Sequence, residues 1–306
     1  MSTRLKIFTT IAILVTMVAF TVNVDKYSVV FLKGISIWAN NVLPTILPFL
    51  IMGGIVTKLD GMHHLFKNSK LTKALFNAPK GYDWVFFLSL ICGYPVGAKL
   101  IAQEYNNGLP TKSCLKLATF CSTASPIFLL GTVKNMLNNN TATYVLYISH
   151  VVACILCGFL YKNFYIEDVQ CLEKQKDSNV FSAILDATQS ILIVGALIAI
   201  CYTLCAIICD LLPKWFNTDG IVVTSYLLGL IEMTTGCLNL TAVCPTFTAT
   251  VLCCSIVSFG GLCVIMQMMT FLNCCKIKTS AILGTKALHC ALSTIICFLL
   301  GKIFIT

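Results

Sequence analysis

Four long apolar segments constrain this chain more than any other feature of its sequence. Residues 6–22, 142–160, 183–209 and 284–301 carry almost no charge, and about 20 consecutive apolar residues cross the hydrocarbon core of a bilayer. Of the 306 residues, 58% are hydrophobic and only 11% are charged, whereas a soluble domain is about 25% charged. We therefore expect an all-α polytopic membrane protein whose first partner is the lipid bilayer.

The excess of positive charge fits membrane topology better than nucleic-acid binding. The formal net charge is +9, but the lysines lie mostly in short connecting loops and form no basic stripe with interleaved aromatic residues. Cytoplasmic loops of membrane proteins are rich in Lys and Arg. This rule places residues 58–80, residues 161–178 and a loop containing Lys276, Lys278 and Lys286 inside the cell, and we expect no nucleic-acid partner.

The sequence contains no motif that is typical of an enzyme or of a metal site. There is no His/Glu metal spacing, no Gly-x-Ser-x-Gly elbow and no phosphate-cradling glycine loop. Nearly all of the 18 cysteines lie within apolar segments, which favours helix packing over metal binding. We therefore expect no catalytic activity, no metal and no cofactor.

The order of the apolar segments predicts two related halves. The strips at 84–92 and 221–231 are too short to span a bilayer, so each is predicted to form a re-entrant hairpin. An odd number of crossings in the first half would invert the second, giving about seven spans plus two re-entrant hairpins in inverted-topology repeats. The predicted parts are an N-terminal span and amphipathic lead-in (1–37), a first repeat (38–160), a cytoplasmic linker (161–182) and a second repeat (183–306).

Four polar breaks inside the apolar segments mark the candidate solute site. Glycine and proline release backbone groups that hydrocarbon cannot satisfy, so such breaks must face protein or a water-filled cavity. Kinked packing helices, hydroxyls bonded to their own helix and glycine-mediated packing are the structural alternatives. The predicted binding residues are Gly93, Tyr94, Pro95, Gly97 and Lys99; Ser122, Thr123, Ser125 and Pro126; Thr234, Thr235 and Gly236; and Ser258, Gly260, Gly261 and Gln267.

Ionisable residues near the breaks suggest what the site would bind. Pro95 suits the first turn of a half-helix whose free N–H groups attract anions, and Lys99 would add positive charge one turn later. Glu232 and Asp186 are the candidate coupling residues, because an intramembrane carboxyl is costly unless it is functional. A structural hydrogen bond is the alternative for Glu232, and a helix-dipole role is the alternative for Asp186. His289 in the last span is a candidate proton relay, with a packing role as its alternative.

Several motifs, in order, resemble one family of membrane proteins. They are Asn41-x-x-Pro44-x-x-x-Pro48-Phe49, Gly93-Tyr94-Pro95-x-Gly97-Ala98-Lys99, Phe120-Cys-Ser-Thr-Ala-Ser125-Pro126, Gly229-Leu-Ile-Glu232-x-x-x-Gly236 and Ser258-Phe-Gly260-Gly261-Leu262. Together they resemble the YlbJ/SpoVV type of sporulation integral membrane protein, over residues 38 to 304. That type belongs to the nucleoside-recognition Gate domain group, which is similar in plan to concentrative nucleoside transporters.

The resemblance gives the expected function its detail. It implies a multi-pass cell-membrane protein of an endospore-forming bacterium, in the outer forespore or mother-cell membrane, that moves dipicolinate toward the forespore. We expect a secondary transporter of a small organic anion. A transporter of a nucleoside or other metabolite is one alternative. A non-transporting scaffold or signalling protein for spore envelope assembly is the other, and a homo-oligomer is compatible with the sequence.

Overall fold

The structure, a computed structural model, describes residues 3–59, 61–163, 180–211 and 218–306. Within them all regular secondary structure is helical. The first part contains α1 (Thr3–Val22), α2 (Val24–Ile37), a π-helical turn (Trp38–Val42), α3 (Leu43–Lys58), α4 (Gly61–Phe66), α5 (Leu71–Phe76), α6 (Asp83–Cys92), α7 (Tyr94–Asn106), α8 (Thr111–Phe120), a second π-helical segment (Phe128–Val133), α9 (Lys134–Leu137) and α10 (Asn140–Leu160). The second contains α11 (Val180–Leu211), α12 (Thr218–Gly229), α13 (Met233–Val243), α14 (Thr246–Phe259), α15 (Gly261–Leu272) and α16 (Thr279–Phe304).

Helix length and surface chemistry confirm a multi-pass, all-helical membrane protein. Large apolar side chains are exposed on the long helices, for example Phe181 and Ile303, where lipid would cover them. Among the described residues, five helical stretches are long and apolar enough to cross a membrane: Val24–Lys58, Asn140–Leu160, Phe181–Leu211, Thr246–Leu272 and Thr279–Phe304.

The N-terminal region is more continuous than its division at residue 37 suggests. Residues 24–58 form consecutive helical elements, and the π-helical turn joins α2 to α3. Pro44 lies in the first turn of α3, where its missing N–H removes a donor and the wider π-turn accommodates the ring. The predicted lead-in is therefore α2, and most of the predicted linker 161–182 lies outside the described residues.

The two halves of the chain repeat one order of elements. Each has a long helix (α3 or α11), a short pair (α6–α7 or α12–α13), a broken pair (α8–α9 or α14–α15) and a final long helix (α10 or α16). Helix α11 packs against α2 and α3, while α10, α14 and α16 pack against one another. Lys58 at the end of α3 bonds Ser182 near the start of α11, and Lys26 in α2 pairs with Asp210 at the other end of α11. The continuous stretch formed by α2 and α3 therefore runs antiparallel to α11.

Each predicted break is a real interruption between helices. The left-handed φ values of Gly93, Gly260 and Gly261 are +90°, +86° and +73°, a region that glycine enters without steric cost. The second break comprises residues 121–125, and Pro126 begins the next helical turn. One position was predicted wrongly: Lys286 belongs to α16 and not to a loop, because α16 begins at Thr279.

Candidate solute-binding site

The first two breaks lie directly on each other. A β-carbon on Gly97 would lie 2.0 Å from the carbonyl oxygen of Cys121, and one on Gly93 would lie 3.0 Å from the backbone nitrogen of Ser125. Real β-carbons essentially never come closer than 3.0 Å to such atoms. Glycine at these positions therefore allows the start of α7 to rest against the non-helical segment that follows α8.

The third and fourth breaks interlock through backbone hydrogen bonds. The N–H groups of Leu262 and Cys263, at the start of α15, donate to the carbonyls of Leu230 and Ile231 over 2.8 and 2.9 Å. These carbonyls follow the end of α12. Each break thus satisfies backbone groups that the other leaves without a helical partner, as burial away from water requires.

His150 joins the two halves at the second and fourth breaks. Its Nε2 accepts the backbone N–H of Ala124 over 2.9 Å, and its Nδ1 lies 2.8 Å from the hydroxyl oxygen of Ser258. Because Nε2 is an acceptor here, the neutral ring carries its proton on Nδ1 and donates it to Ser258. The Tyr94 hydroxyl adds a second link by donating to the carbonyl of Val257.

A small cavity lies where the breaks meet. It measures about 40 Å³, which is room for about three water molecules. The lining includes residues from the first three breaks and from the helix that follows the fourth. Among the predicted binding and coupling residues, it contains Gly93, Tyr94, Pro95, Ser125, Glu232, Thr234 and Gln267.

Glu232 is the charged group of this lining, and it caps α13. One carboxylate oxygen accepts the N–H of Thr234 over 3.0 Å. The other accepts the N–H of Thr235 over 2.7 Å and its hydroxyl over 2.8 Å. The side chain is 2% exposed. The structural hydrogen bond that was the alternative for Glu232 is thus present, and the same carboxylate also faces the cavity.

Neutral polar groups complete the lining. The Ser125 hydroxyl accepts the N–H of Phe128 over 3.2 Å, so its own proton can point toward a solute. The Gln267 amide nitrogen contacts the sulfur of Cys263 at 3.3 Å, a weak acceptor. Helix α7 begins at the cavity with Tyr94 and Pro95; Pro95 carries no N–H, and the N–H of Gly97 donates to the carbonyl of Gly93. Among its side chains the cavity therefore offers the Ser125 hydroxyl and the Gln267 amide as donors, together with one carboxylate.

Lys99 and Asp186 lie elsewhere, between α3, α7 and α11. The Lys99 ammonium donates to the Ser190 hydroxyl over 3.1 Å. Asp186 lies 3.8 Å from the ammonium of Lys58, and its side chain is 49% exposed. Neither residue is part of the cavity lining. The remaining predicted residues support the breaks from outside the lining: Gly97, Ser122, Thr123, Pro126, Thr235, Gly236, Ser258, Gly260 and Gly261.

The sequence interpretation missed Lys286, which forms a buried basic cluster with His289 beside the cavity. Lys286 is 1% exposed; its ammonium donates to the Ser122 carbonyl over 2.7 Å and lies 4.3 Å from the Tyr94 ring centre. One turn later, His289 bonds the carbonyl of His150 over 2.9 Å. The available signal was a lysine and a histidine three residues apart in an apolar segment, a pattern typical of functional sites in membranes.

Comparison with known proteins supports the family resemblance. The chain is 25% identical over 166 residues to the "Sporulation integral membrane protein YlbJ" of Bacillus subtilis (strain 168). The match covers 52% of this chain and 39% of that relative. No protein-family model matches the chain, and no solved structure matches it. The similarity supports a YlbJ-type assignment, and the relative's description as an integral membrane protein agrees with the long apolar helices of this chain.

Proposed function

We propose that this relative of the YlbJ sporulation integral membrane protein is a secondary transporter that carries a small organic solute through the cavity at the four breaks. The observation that supports it most is one cavity lined by residues of three interruptions and of the helix that follows the fourth, with Glu232, Ser125 and Gln267 among mainly apolar side chains. Irregular backbone at membrane depth is tolerated where it lines a cavity or is buried in protein. Discontinuous helices around a central site are a recurring plan of secondary transporters.

We further propose that the halves are inverted repeats, each with three crossings and one re-entrant hairpin, and that α1 makes a seventh span. Contacts at one end of the bundle support this arrangement. Asp83, which starts α6, accepts the N–H of Thr72 in α5. Lys116 of α8 bonds the carbonyl of Tyr161, just beyond α10, and Lys162 bonds Ala74 of α5. Both ends of α6–α7 would thus lie at the same membrane face.

The proposed solute is a small organic anion, and dipicolinate is the first candidate because the family resemblance implies it. The Ser125 hydroxyl and the Gln267 amide supply donors suited to a carboxylate, and the N-terminus of α7 lies at the same cavity. The charge of Glu232 is offset by two backbone N–H groups and one hydroxyl. A neutral nucleoside is the second candidate, because a carboxylate and the Gln267 amide could pair with its hydroxyl and ring N–H groups.

A cavity of about 40 Å³ is too small for a pyridine dicarboxylate, so we assign this conformation to a closed state. Transport would require the two halves of the chain to move apart, so that the cavity opens first to one membrane face and then to the other. The breaks are the proposed hinges; among the described residues, the hydrogen bonds that join the two halves there include Tyr94 to Val257, His150 to Ser258 and Lys286 to Ser122. The proposed setting is the outer forespore or mother-cell membrane, and we propose no catalytic role.

Uptake by purified protein in proteoliposomes tests this function. Labelled dipicolinate would be supplied under proton or sodium gradients, with uridine and succinate as competitors. Saturable uptake that succinate or dipicolinate inhibits and uridine does not would support the anion transporter. Inhibition by uridine alone would favour the nucleoside. No flux of any solute would contradict the proposal and favour the scaffold.

A further inference from the structure

We infer that Lys286 and His289 of α16 form a proton-binding site that couples proton movement to solute transport. This inference rests on the proposed function. It gives the coupling role to two residues that lie beside the cavity, and not to Glu232 or Asp186.

Lys286 is buried without an opposite charge. No carboxylate in the described part of the chain lies within ion-pair distance of its ammonium. Its contacts are one backbone carbonyl, that of Ser122, and the face of the Tyr94 ring. Burying a charge with so few partners in a protein interior is unfavourable. A lysine kept in such surroundings is suited to exchanging its proton.

His289 is placed to share that proton. It lies three residues after Lys286, so both side chains share one face of α16. Its Nε2–H donates to the carbonyl of His150, which can only accept. The Nδ1 of His289 can therefore take a proton while this bond is kept. Two positive charges one helical turn apart in a protein interior are unfavourable, so the pair holds one proton at a time.

His150 does not belong to the exchanging pair, although its ring lies 4.7 Å from that of His289. Its Nε2 accepts the N–H of Ala124, and a proton at this atom would break that bond and leave a buried N–H without a partner. His150 therefore positions the pair and connects it to the breaks. The other titratable groups facing the site are Tyr94 from α7, Cys154 and Cys157 from α10, Cys254 from α14 and Cys290 of α16.

Tyr94 connects proton binding to the solute. Tyr94 is part of the cavity lining, and its ring contacts the Lys286 ammonium. A protonated Lys286 is attracted to the ring face, and a neutral amine is not. Loss of the proton would weaken this contact and free the ring, which also holds the fourth break through Val257. One proton, taken up at one membrane face and released at the other, would thus accompany the conformational change.

Two transport assays on the same proteoliposomes test the inference. A pH-sensitive dye inside the vesicles measures protons moved per solute. Counterflow exchange of labelled solute, which needs no net proton movement, measures the remaining steps. The solute would be whichever of dipicolinate, succinate and uridine the wild type carries. The variants are Lys286→Gln and His289→Gln, and Lys278→Gln is the control, because Lys278 is exposed immediately before α16.

We expect Lys286→Gln to lower the protons moved per solute to background and His289→Gln to lower them at least threefold. Counterflow should stay within about threefold of wild type, and Lys278→Gln should change neither quantity. Unchanged proton movement in Lys286→Gln, or solute flux in the wild type without protons, would overturn the inference. Loss of counterflow in both variants would also overturn it by giving the residues a structural role. A wild type without flux would instead refute the proposed function, and the inference with it.

Discussion

The close approach of α7 to the second break predicts the effect of a single methyl group. In Gly97→Ala the new β-carbon would start 2.0 Å from the Cys121 carbonyl oxygen and 2.9 Å from the β-carbon of Ser89. The nearer atom is backbone and cannot rotate away, so α7 and the break must separate by roughly 1 Å to reach the shortest distance that real β-carbons show. The start of α7, which lines the cavity, would move with it.

The expected cost is that of overpacking a rigid core. Such insertions destabilise proteins by about 1–3 kcal/mol. At roughly 2–4 °C per kcal/mol, the midpoint of thermal unfolding in detergent should fall by about 2–12 °C. Solute uptake should fall at least tenfold, because a shift of about 1 Å at a site can cost on the order of 100-fold in rate.

Buried cysteines provide the assay. A thiol-reactive dye becomes fluorescent as residues such as Cys114, Cys121 and Cys254 are exposed on unfolding. Gly284→Ala is the matched control, because nothing lies within 4 Å of its β-carbon position in α16. This control should be neutral or more stable by up to about 1 kcal/mol, through helix propensity. Equal midpoints and equal uptake for the two variants would refute the packing described for α7.

Three further predictions follow from the site and the topology. Glu232→Gln should lower uptake at least tenfold and stability by about 1 kcal/mol, since one amide oxygen cannot replace both carboxylate oxygens at the cap; wild-type uptake would contradict this role. Tyr94→Phe should lower the unfolding midpoint by several degrees, because the buried carbonyl that its hydroxyl serves loses its donor, whereas the exposed Tyr144→Phe should not. In a cysteine-reduced variant, single cysteines at 110 and 241 should react with impermeant reagents from the inside and the outside respectively; reaction of residue 110 from outside would contradict the inverted repeat.

The breaks could be predicted from sequence because each has a local cause. Gly93 and Gly260 adopt left-handed backbone conformations, and Pro126 begins a helical turn because it lacks the N–H that a helix interior needs. The long helices could also be predicted, because a run of about 20 apolar residues is itself a local feature of the sequence. The start of α16 was harder to predict, because no proline lies between Lys278 and Lys286 and Gly284 lies inside the helix.

The contacts of individual side chains could not be predicted, because they depend on how distant helices pack. Lys99 follows the first break by one turn, yet its ammonium reaches Ser190 of α11. Lys286 is far from every break in sequence, yet it bonds the carbonyl of Ser122. Helix periodicity fixes which face a residue occupies but not which helix lies opposite.

Two native cysteines in the cavity lining, Cys92 and Cys263, provide the most direct test of the claim that this cavity carries the solute. Alkylation of each cysteine in membranes by a small permeant maleimide would be followed by peptide mass spectrometry, with and without dipicolinate, succinate or uridine at saturating concentration. If the cavity is the solute path, one of these solutes should slow alkylation of Cys263 at least threefold. Alkylation of the exposed Cys274 should not change. Equal alkylation of Cys263 with and without all three solutes would contradict the account.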